Sequence, residues 1–412
     1  MSKKRVVFIL ILLLIAVLPF GFLVSEISSD ELDSSNSELS VSFSPYSGSS
    51  GSRLKGLYTA NSEMLEGYFQ SEVTIAAAGD LMVHSPQFFS AYNASTGTYD
   101  FSKHFSRISP YLIQADLTLA NLETTLTGPQ YPYSGYPRFN TPPELAENLK
   151  DAGFDLLFTA NNHSLDYGET GALNTIEHIE AAGLDFVGTA RNEEERKRGS
   201  QVTINNIELA FFAYTYGTNG IPVPQGKEYL VTLIDEETII TDTERAREQG
   251  ADAVIVSLHW GQEYQRLPTQ GQRDLAKRLI DGGVDVIVGT HPHVVQPAEI
   301  IQTDNNSGLV LYSLGNFISN QRKRYRDSGI IVYFTLEKDL AMDQVTVSLA
   351  EIEPTWVLRR NQLGPERYSI LPVNDLLADK AKLEAENLSP QDINRMQEVV
   401  TETEDIFWRY WD

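Results

Sequence analysis

Four junctions in this chain share one grammar: KDAGFD, EAAGLD, REQGAD and IDGGVD. In each, a helical pattern stops at a glycine (Gly153, Gly183, Gly250, Gly283), and an apolar residue and an aspartate then lead into an apolar run. Glycine enters the left-handed conformation that closes a helix without steric cost, so each unit reads as helix, cap, strand. Strands reached repeatedly through helices need crossover connections, which places the chain in the α/β class with parallel strands layered against helices. The strand candidates are VTIAAAG, LTLANLE, FDLLFTAN, LDFVGT, AVIVSLHW, VDVIVGTH and LVLYSLGNF, and VTINNIELAFFAYTY reads as a hairpin turned at Asn205–Asn206. NTPPELAENL carries a helix start, with Thr141 as the cap and prolines in the first turn.

The amino terminus follows a different logic. Lys3, Lys4 and Arg5 precede an apolar run from Val6 to Val24, long enough to cross a bilayer, and the basic flank predicts that the rest of the chain faces outward. No small-x-small cleavage site follows, so the reading is an uncleaved single-pass anchor in the cell membrane with an extracytoplasmic folded part. A Ser-rich acidic stretch comes next, with too little apolar surface to fold alone. The expected divisions are an anchor (1–25), a flexible linker (26–71), an α/β domain (72–353) and a C-terminal helical tail (354–412), whose helix opens at Ser389–Pro390. The aromatic end, Phe407 to Trp411, packs either on the main domain or on a partner.

With 32 basic and 56 acidic residues the formal net charge is −24. Such a surface repels polyanions, so nucleic acid is excluded as a partner and an anionic substrate needs local positive charge. The chain has no cysteine, which removes thiolate metal sites and cysteine nucleophiles.

Polar residues with ligand chemistry stand where the apolar runs stop. They include Asp80 and His84 in AAAGDLMVH, Asn121 and Glu123 in LANLE, and Asn162, His163 and Asp166 in TANNHSLDYG. His259 in VSLHWGQE, His291 and His293 in GTHPH, and Asn316 in YSLGNF complete the set. Five of the seven histidines lie at such ends, and in open α/β sheets ligands bind beyond the carboxyl ends of the strands. Pro292 biases His291 toward extended backbone, in which residues two apart face the same way, so both imidazoles can enter one pocket. Neutral imidazole suits zinc, manganese or iron. Adjacent Asn162 and His163 cannot both face one metal from an extended segment, so one ligates and the other is free for proton transfer, with Asp166 placed to orient the ring.

The motifs GDLMVH, NLETTLT, NNHSLDYG, HWGQEY, GTHPHVVQP and YSLGNF, in this order between about Val73 and Phe334, resemble those of the CapA family of poly-γ-glutamate capsule synthesis proteins. That family is similar to the calcineurin-like metallophosphoesterases. The resemblance implies a four-layer α/β/β/α sandwich and a site for one or two divalent metal ions (Mn, Zn or Fe). By the same resemblance, Asp80 is a first-strand metal ligand, Glu123 stands where the phosphoesterases have a bridging aspartate, and Asn162, His259, His291 and His293 are the remaining ligands. His163 matches the histidine that protonates a leaving group. The sequence departs from the phosphoesterase pattern twice. Met82 occupies the place of a ligating histidine, leaving His84 as a candidate substitute, and glutamate replaces the bridging aspartate.

NQRKRYRD, after YSLGNF, supplies Arg322, Arg324 and Arg326, which with Asn316 are candidate contacts to an anionic substrate; a solvated loop is the alternative. The turn SGYPRFNTPP can bring Arg138 close. His104 and His178 read as packing or helix residues. The expectation is a membrane-anchored metallophosphoesterase-like protein acting in synthesis or export of poly-γ-glutamate, on the polymer or on a phosphoester, alongside membrane synthase subunits. The alternatives are a non-catalytic polymer- or synthase-binding subunit with a structural metal, and an amide hydrolase of polyglutamate or cell wall.

Overall fold

All four cap glycines adopt positive φ: +109° at Gly153, +74° at Gly183, +99° at Gly250 and +100° at Gly283. They do so in a computed structural model that describes residues 70–340 and 342–411, together with a separate antiparallel strand pair, Phe22–Ser28 with Ser40–Pro45. Residues 1–21 of the expected anchor, and most of the linker, lie outside the described residues. Among the described residues no helix is long and apolar enough to cross a membrane.

Residues 71–412 form one unit built on two sheets. The eight-stranded sheet runs Tyr368–Pro372, Gln344–Arg359, Ser328–Asp339, Gln70–Leu81, Leu117–Leu122, Leu156–Phe158 and Asp185–Val187, with Asn316–Ile318 also paired to Gln70–Leu81. The six-stranded sheet runs Ala298–Gln302, Ser307–Leu311, Val286–Thr290, Ala253–His259, Ile207–Thr215 and Ser200–Ile204. The strands that bring residues to the site are parallel within each sheet. Antiparallel strands close three of the four edges, including the hairpin turned at Asn205 (φ +50°) and Asn206 (φ +63°), and the parallel strand Asp185–Val187 forms the fourth.

Side chains alternate across each strand, and this period sorts them into layers. Ile75, Leu119, Phe158, Phe211, Ile255 and Val288 share the core between the sheets. Their neighbours Ala76, Ala120 and Leu157 face outward under helices Glu144–Ala152 and Gly168–Ala181, which contribute Leu145, Leu149, Ile176 and Ile179. On the other side, Phe212, Val254 and Ile287 pack under Glu236–Glu248 and Gln270–Asp281 through Ile239, Ala246, Ala276 and Leu279. The result is the four-layer α/β/β/α sandwich.

Two local expectations shift. The helix after NTPP begins at Glu144 with Pro143 in the cap position, while the Thr141 hydroxyl lies 2.8 Å from that of Thr124. The strand Gln344–Arg359 runs through residue 353 and pairs with Tyr368–Pro372, so the sheet continues into the C-terminal segment. Ser389 caps the helix Pro390–Phe407, and Ile406 and Phe407 are buried in the core between the sheets, with Trp408 and Trp411 against it. The aromatic end therefore packs on its own domain.

His104 is a packing residue, as expected. It is fully buried between Phe101 and Tyr368, with Nε2 3.1 Å from Ser90 Oγ, and burial pushes its pKa down to about 4. A histidine depressed in the folded state contributes stability that is present above the unfolded value near 6.5 and is lost as pH falls toward about 4. Between pH 7 and pH 5 this one residue should remove about 2 kcal/mol. Urea midpoints of chelator-treated protein at the two pH values will check this, and His104→Leu should reduce the difference by about that amount.

Candidate metal centre

Two glycines let the sheet deliver Asp80. A β-carbon on Gly79 would lie 2.0 Å from Gly315 O, and Gly315 itself has φ +73°. Only with glycine at both positions can Gln70–Leu81 close on the chain entering Asn316–Ile318, where the Asp80 N–H donates to Gly315 O at 2.9 Å. Asp80 is then in register with Asn121 on one side and Asn316 on the other, and Glu123 follows at the end of Leu117–Leu122. In the second sheet His259 ends its strand in register with Thr290, and His291 and His293 follow directly.

These ends meet. His293 Nδ1 is 3.0 Å from Asp80 Oδ2, and His293 Nε2 is 3.6 Å from Glu123 Oε1. His259 Nε2 is 3.8 Å from the same Glu123 oxygen and 3.0 Å from Asn162 Oδ1, while its Nδ1 is 2.9 Å from Thr290 Oγ1. Asn121 Nδ2 donates to Asp80 Oδ1 at 2.8 Å and fixes that carboxylate. Two sets of ligand atoms, each within 4.8 Å of one another, result: Asp80, Glu123 and His293, and Glu123, His259 and His291. Glu123 belongs to both, and every member is buried.

The route to this convergence differs from the extended chain expected around Pro292. His291 has φ +96° and His293 φ +56°. Residues in these sparsely populated regions each cost about 1–3 kcal/mol and persist where surrounding structure over-determines them. Here His291 is held between the rings of His259 (4.8 Å between centroids) and Tyr216 (4.7 Å), so tertiary packing overrides the local bias of proline. Residues 161–167 likewise form turns, not an extended segment. The two side chains still separate: Asn162 faces His259, whereas His163 Nδ1 lies 2.8 Å from Asp166 Oδ2. That carboxylate oxygen also accepts from the Phe139 N–H at 2.6 Å, and Phe139 packs edge-on against the His163 ring. Arg138 is close, its Nε donating to the Asp166 carbonyl at 2.6 Å.

Other expected residues lie outside the two sets. His84 caps the helix Ser85–Ala91, its Nδ1 3.2 Å from Met82 O and 3.3 Å from the Asn320 nitrogen, so that it donates to the first or accepts from the second according to its tautomer, and its ring shares Phe139 with His163. Asn316 is buried and donates to the Arg326 carbonyl at 2.8 Å, which anchors the basic loop. Within that loop Arg322 donates to Val357 O at 2.8 Å and Arg324 pairs with Glu402 of the C-terminal helix, so both are drawn away. Arg326 alone of the three reaches the rim, over the ring of Tyr264, whose centroid is 6.1 Å from that of His293. Residues not anticipated from sequence also line the site: Tyr216 beside His259 and His291, Asn219 accepting from Asn162 at 3.2 Å, Tyr264, and Glu263. Glu263, four residues after the histidine of HWGQEY, was visible in the motif but fell in a loop without periodicity.

The electrostatics ask for a cation. Burial, and then the Asp80 carboxylate, hold the Glu123 carboxyl well above the usual range, and its Oε1 has no hydrogen-bond partner among the described residues. Burial and neighbouring imidazoles hold His259 well below its ordinary value and His291 at about 4, and His291 Nδ1 is likewise unpartnered. Neutral imidazoles with available lone pairs beside a shared buried carboxylate are the donor set of zinc, manganese or iron, and a bound divalent cation would relieve each strain. The residues present therefore fit the one or two ions expected.

Capsule biosynthesis protein CapA of Bacillus anthracis is 30% identical over 294 residues, covering 69% of this chain and 69% of that protein. PGA biosynthesis protein CapA of Bacillus subtilis (strain 168) is 32% identical over 266 residues, covering 61% of this chain and 66% of the relative. Among solved structures, calcineurin-like phosphoesterase YfkN from Bacillus subtilis aligns with TM-score 0.37 at 15% identity over 81% of this chain and 98% of that one; the sandwich itself rests on the strand pairing above. The family model described as bacterial capsule synthesis protein PGA_cap matches residues 74–321, a span that takes in Asp80, Glu123, Asn162, His163, His259, His291 and His293. The whole set of converging side chains thus lies inside the matched region, and the chain belongs to the PGA_cap family of bacterial capsule synthesis proteins.

Proposed function

We propose that this chain is a metal-dependent hydrolase or transferase of the bacterial cell surface that works in poly-γ-glutamate capsule synthesis or export. The observation that carries the reading is the sharing of Glu123 Oε1 between two buried ligand sets, with the His163–Asp166 pair beside them. Asp80, Glu123 and His293 would hold one cation, and Glu123, Asn162, His259 and His291 another. Such a cation, when bound, lowers the pKa of bound water and polarises the scissile group.

The chain's own residues supply the rest. Asp166 accepts from His163 Nδ1–H and so fixes the tautomer, leaving Nε2 as the atom that exchanges a proton with a leaving group. The Phe139 N–H holds Asp166 in place, and Phe139 shields the ring from water. Arg326 at the rim attracts the phosphate or carboxylate of an anionic substrate, which an acidic surface would otherwise repel. The apolar run Val6–Val24 would tether the domain to the outer face of the membrane, near synthase subunits.

The test is to purify the full chain, measure metal content, and assay turnover of a phosphomonoester, a phosphodiester and poly-γ-glutamate with Mn²⁺ or Zn²⁺. The expected result is bound metal and turnover of at least one of the three. Metal without turnover of any would leave a non-catalytic binding subunit, and release of γ-glutamyl units alone would make the protein an amide hydrolase.

A further inference from the structure

A third set of ligand-type atoms lies at the mouth of the centre: exposed Glu263 with His291 and His293, all within 4.8 Å of one another. An exposed glutamate ordinarily samples many rotamers, and nearness to an imidazole would mean little. The backbone that carries Glu263 is fixed, however. Gly261 has φ +86°, and a β-carbon there would lie 2.7 Å from the Gln272 side chain. Tyr264 has φ +69°, a conformation that costs a tyrosine about 1–3 kcal/mol. The Tyr264 N–H donates at 2.7 Å to the carbonyl of Pro292, the residue between the two histidines. Gln296 Nε2 donates to Gln265 O at 2.7 Å, and the Arg326 guanidinium sits 3.1 Å from the Tyr264 ring centroid. The strain next to Glu263 is thus tied directly to the peptide that presents both imidazoles. His291 is only 4% exposed, and its Nδ1 has no partner among the described residues.

We propose that Glu263 is a displaceable metal ligand: when substrate is absent it ligates at the mouth, where the two cation sites present His291 and His293, and it yields that position to an anionic oxygen group of the substrate. This rests on the metal-centre reading above. The exchange follows from where the three carboxylates sit. Asp80 and Glu123 are 0% exposed, so moving either would strand a buried charge. Glu263 can swing into water at little cost, and it offers the same oxygen donor that an incoming phosphate or carboxylate would offer. Its negative charge at the mouth, in a chain of net charge −24, also disfavours the approach of any anion that does not displace it.

The experiment titrates Mn²⁺ into the full chain and into Glu263→Gln and Glu263→Ala by calorimetry, then titrates inorganic phosphate into each at saturating Mn²⁺. Both variants should bind Mn²⁺ on the order of tenfold more weakly with unchanged stoichiometry, and both should bind phosphate more tightly than the wild type because the competing carboxylate is gone. Unchanged thermal melting of the chelator-treated variants will exclude misfolding. Wild-type Mn²⁺ affinity in both variants, or phosphate binding that is unchanged or weaker, overturns the proposal while leaving the metal centre intact. A wild-type chain that binds no Mn²⁺ overturns the metal centre, and the proposal with it.

Discussion

Glu123→Gln is expected to abolish metal binding and, at the same time, to make the metal-free protein more stable. Both effects have one cause. Glu123 Oε1 is buried without a hydrogen bond, 3.6 Å from His293 Nε2 and 3.8 Å from His259 Nε2, and burial together with Asp80 raises its pKa. A carboxyl raised in the folded state contributes stability that is complete below the unfolded value near 4.5 and is lost as pH climbs toward the folded value. Glutamine keeps the shape and removes the charge, so the metal-free variant should gain about 1–3 kcal/mol at pH 8 and little at pH 4. Thermal melts at the two pH values will read this difference. Saturating Mn²⁺ or Zn²⁺ should raise the wild-type melting temperature through mass action and leave the variant unmoved. A variant that melts lower than the wild type without metal, or that still responds to metal, would show that Glu123 is an ordinary core residue.

Removing His163 should cost turnover without costing metal. In His163→Ala and His163→Gln, hydrolysis of the best substrate should fall by about 10²–10⁴-fold, the usual contribution of a positioned proton donor. Metal content should stay at the wild-type level, because the nearest ligand atom on this turn belongs to Asn162, 3.0 Å from His259 Nε2. The glutamine variant guards against a packing defect, since alanine would leave a void against Phe139. Asp166→Asn should reproduce much of the loss, because an amide can present its NH₂ to Nδ1 and stabilise the wrong tautomer. The wild-type pH profile should lose its limb for the proton donor in both His163 variants. Unimpaired turnover in His163→Gln would assign the proton transfer to another group.

Much of the architecture was legible because it is written in local chemistry. Gly153, Gly183, Gly250 and Gly283 each take the left-handed conformation their helix ends require, and Asn205–Asn206 turns the hairpin. The candidate ligands were legible because parallel strands export their carboxyl ends to one rim, so polar residues at the ends of apolar runs converge whatever lies between them. The loop contributors were hidden. Glu263, Tyr264, Tyr216 and Asn219 obey no period, and the positive φ at Tyr264 (+69°) is held by a distant partner, the Pro292 carbonyl, not announced by glycine. The basic run was only partly informative for the same reason. Arg324 and Arg326 are two residues apart, yet Glu402 of the C-terminal helix claims one and Tyr264 the other.

By itself, then, the order of residues determined the α/β layering, the candidate ligand types and the family, because helix caps, strand alternation and strand-end placement are properties of short segments. Only the tertiary structure decided that Glu123 is shared between two sets, that His291 and His293 converge through positive φ instead of extended chain, and that Arg326 alone of its cluster faces the rim. Those outcomes depend on which side chains from separate sheets compete for the same space and the same charges, and no segment carries that competition within itself.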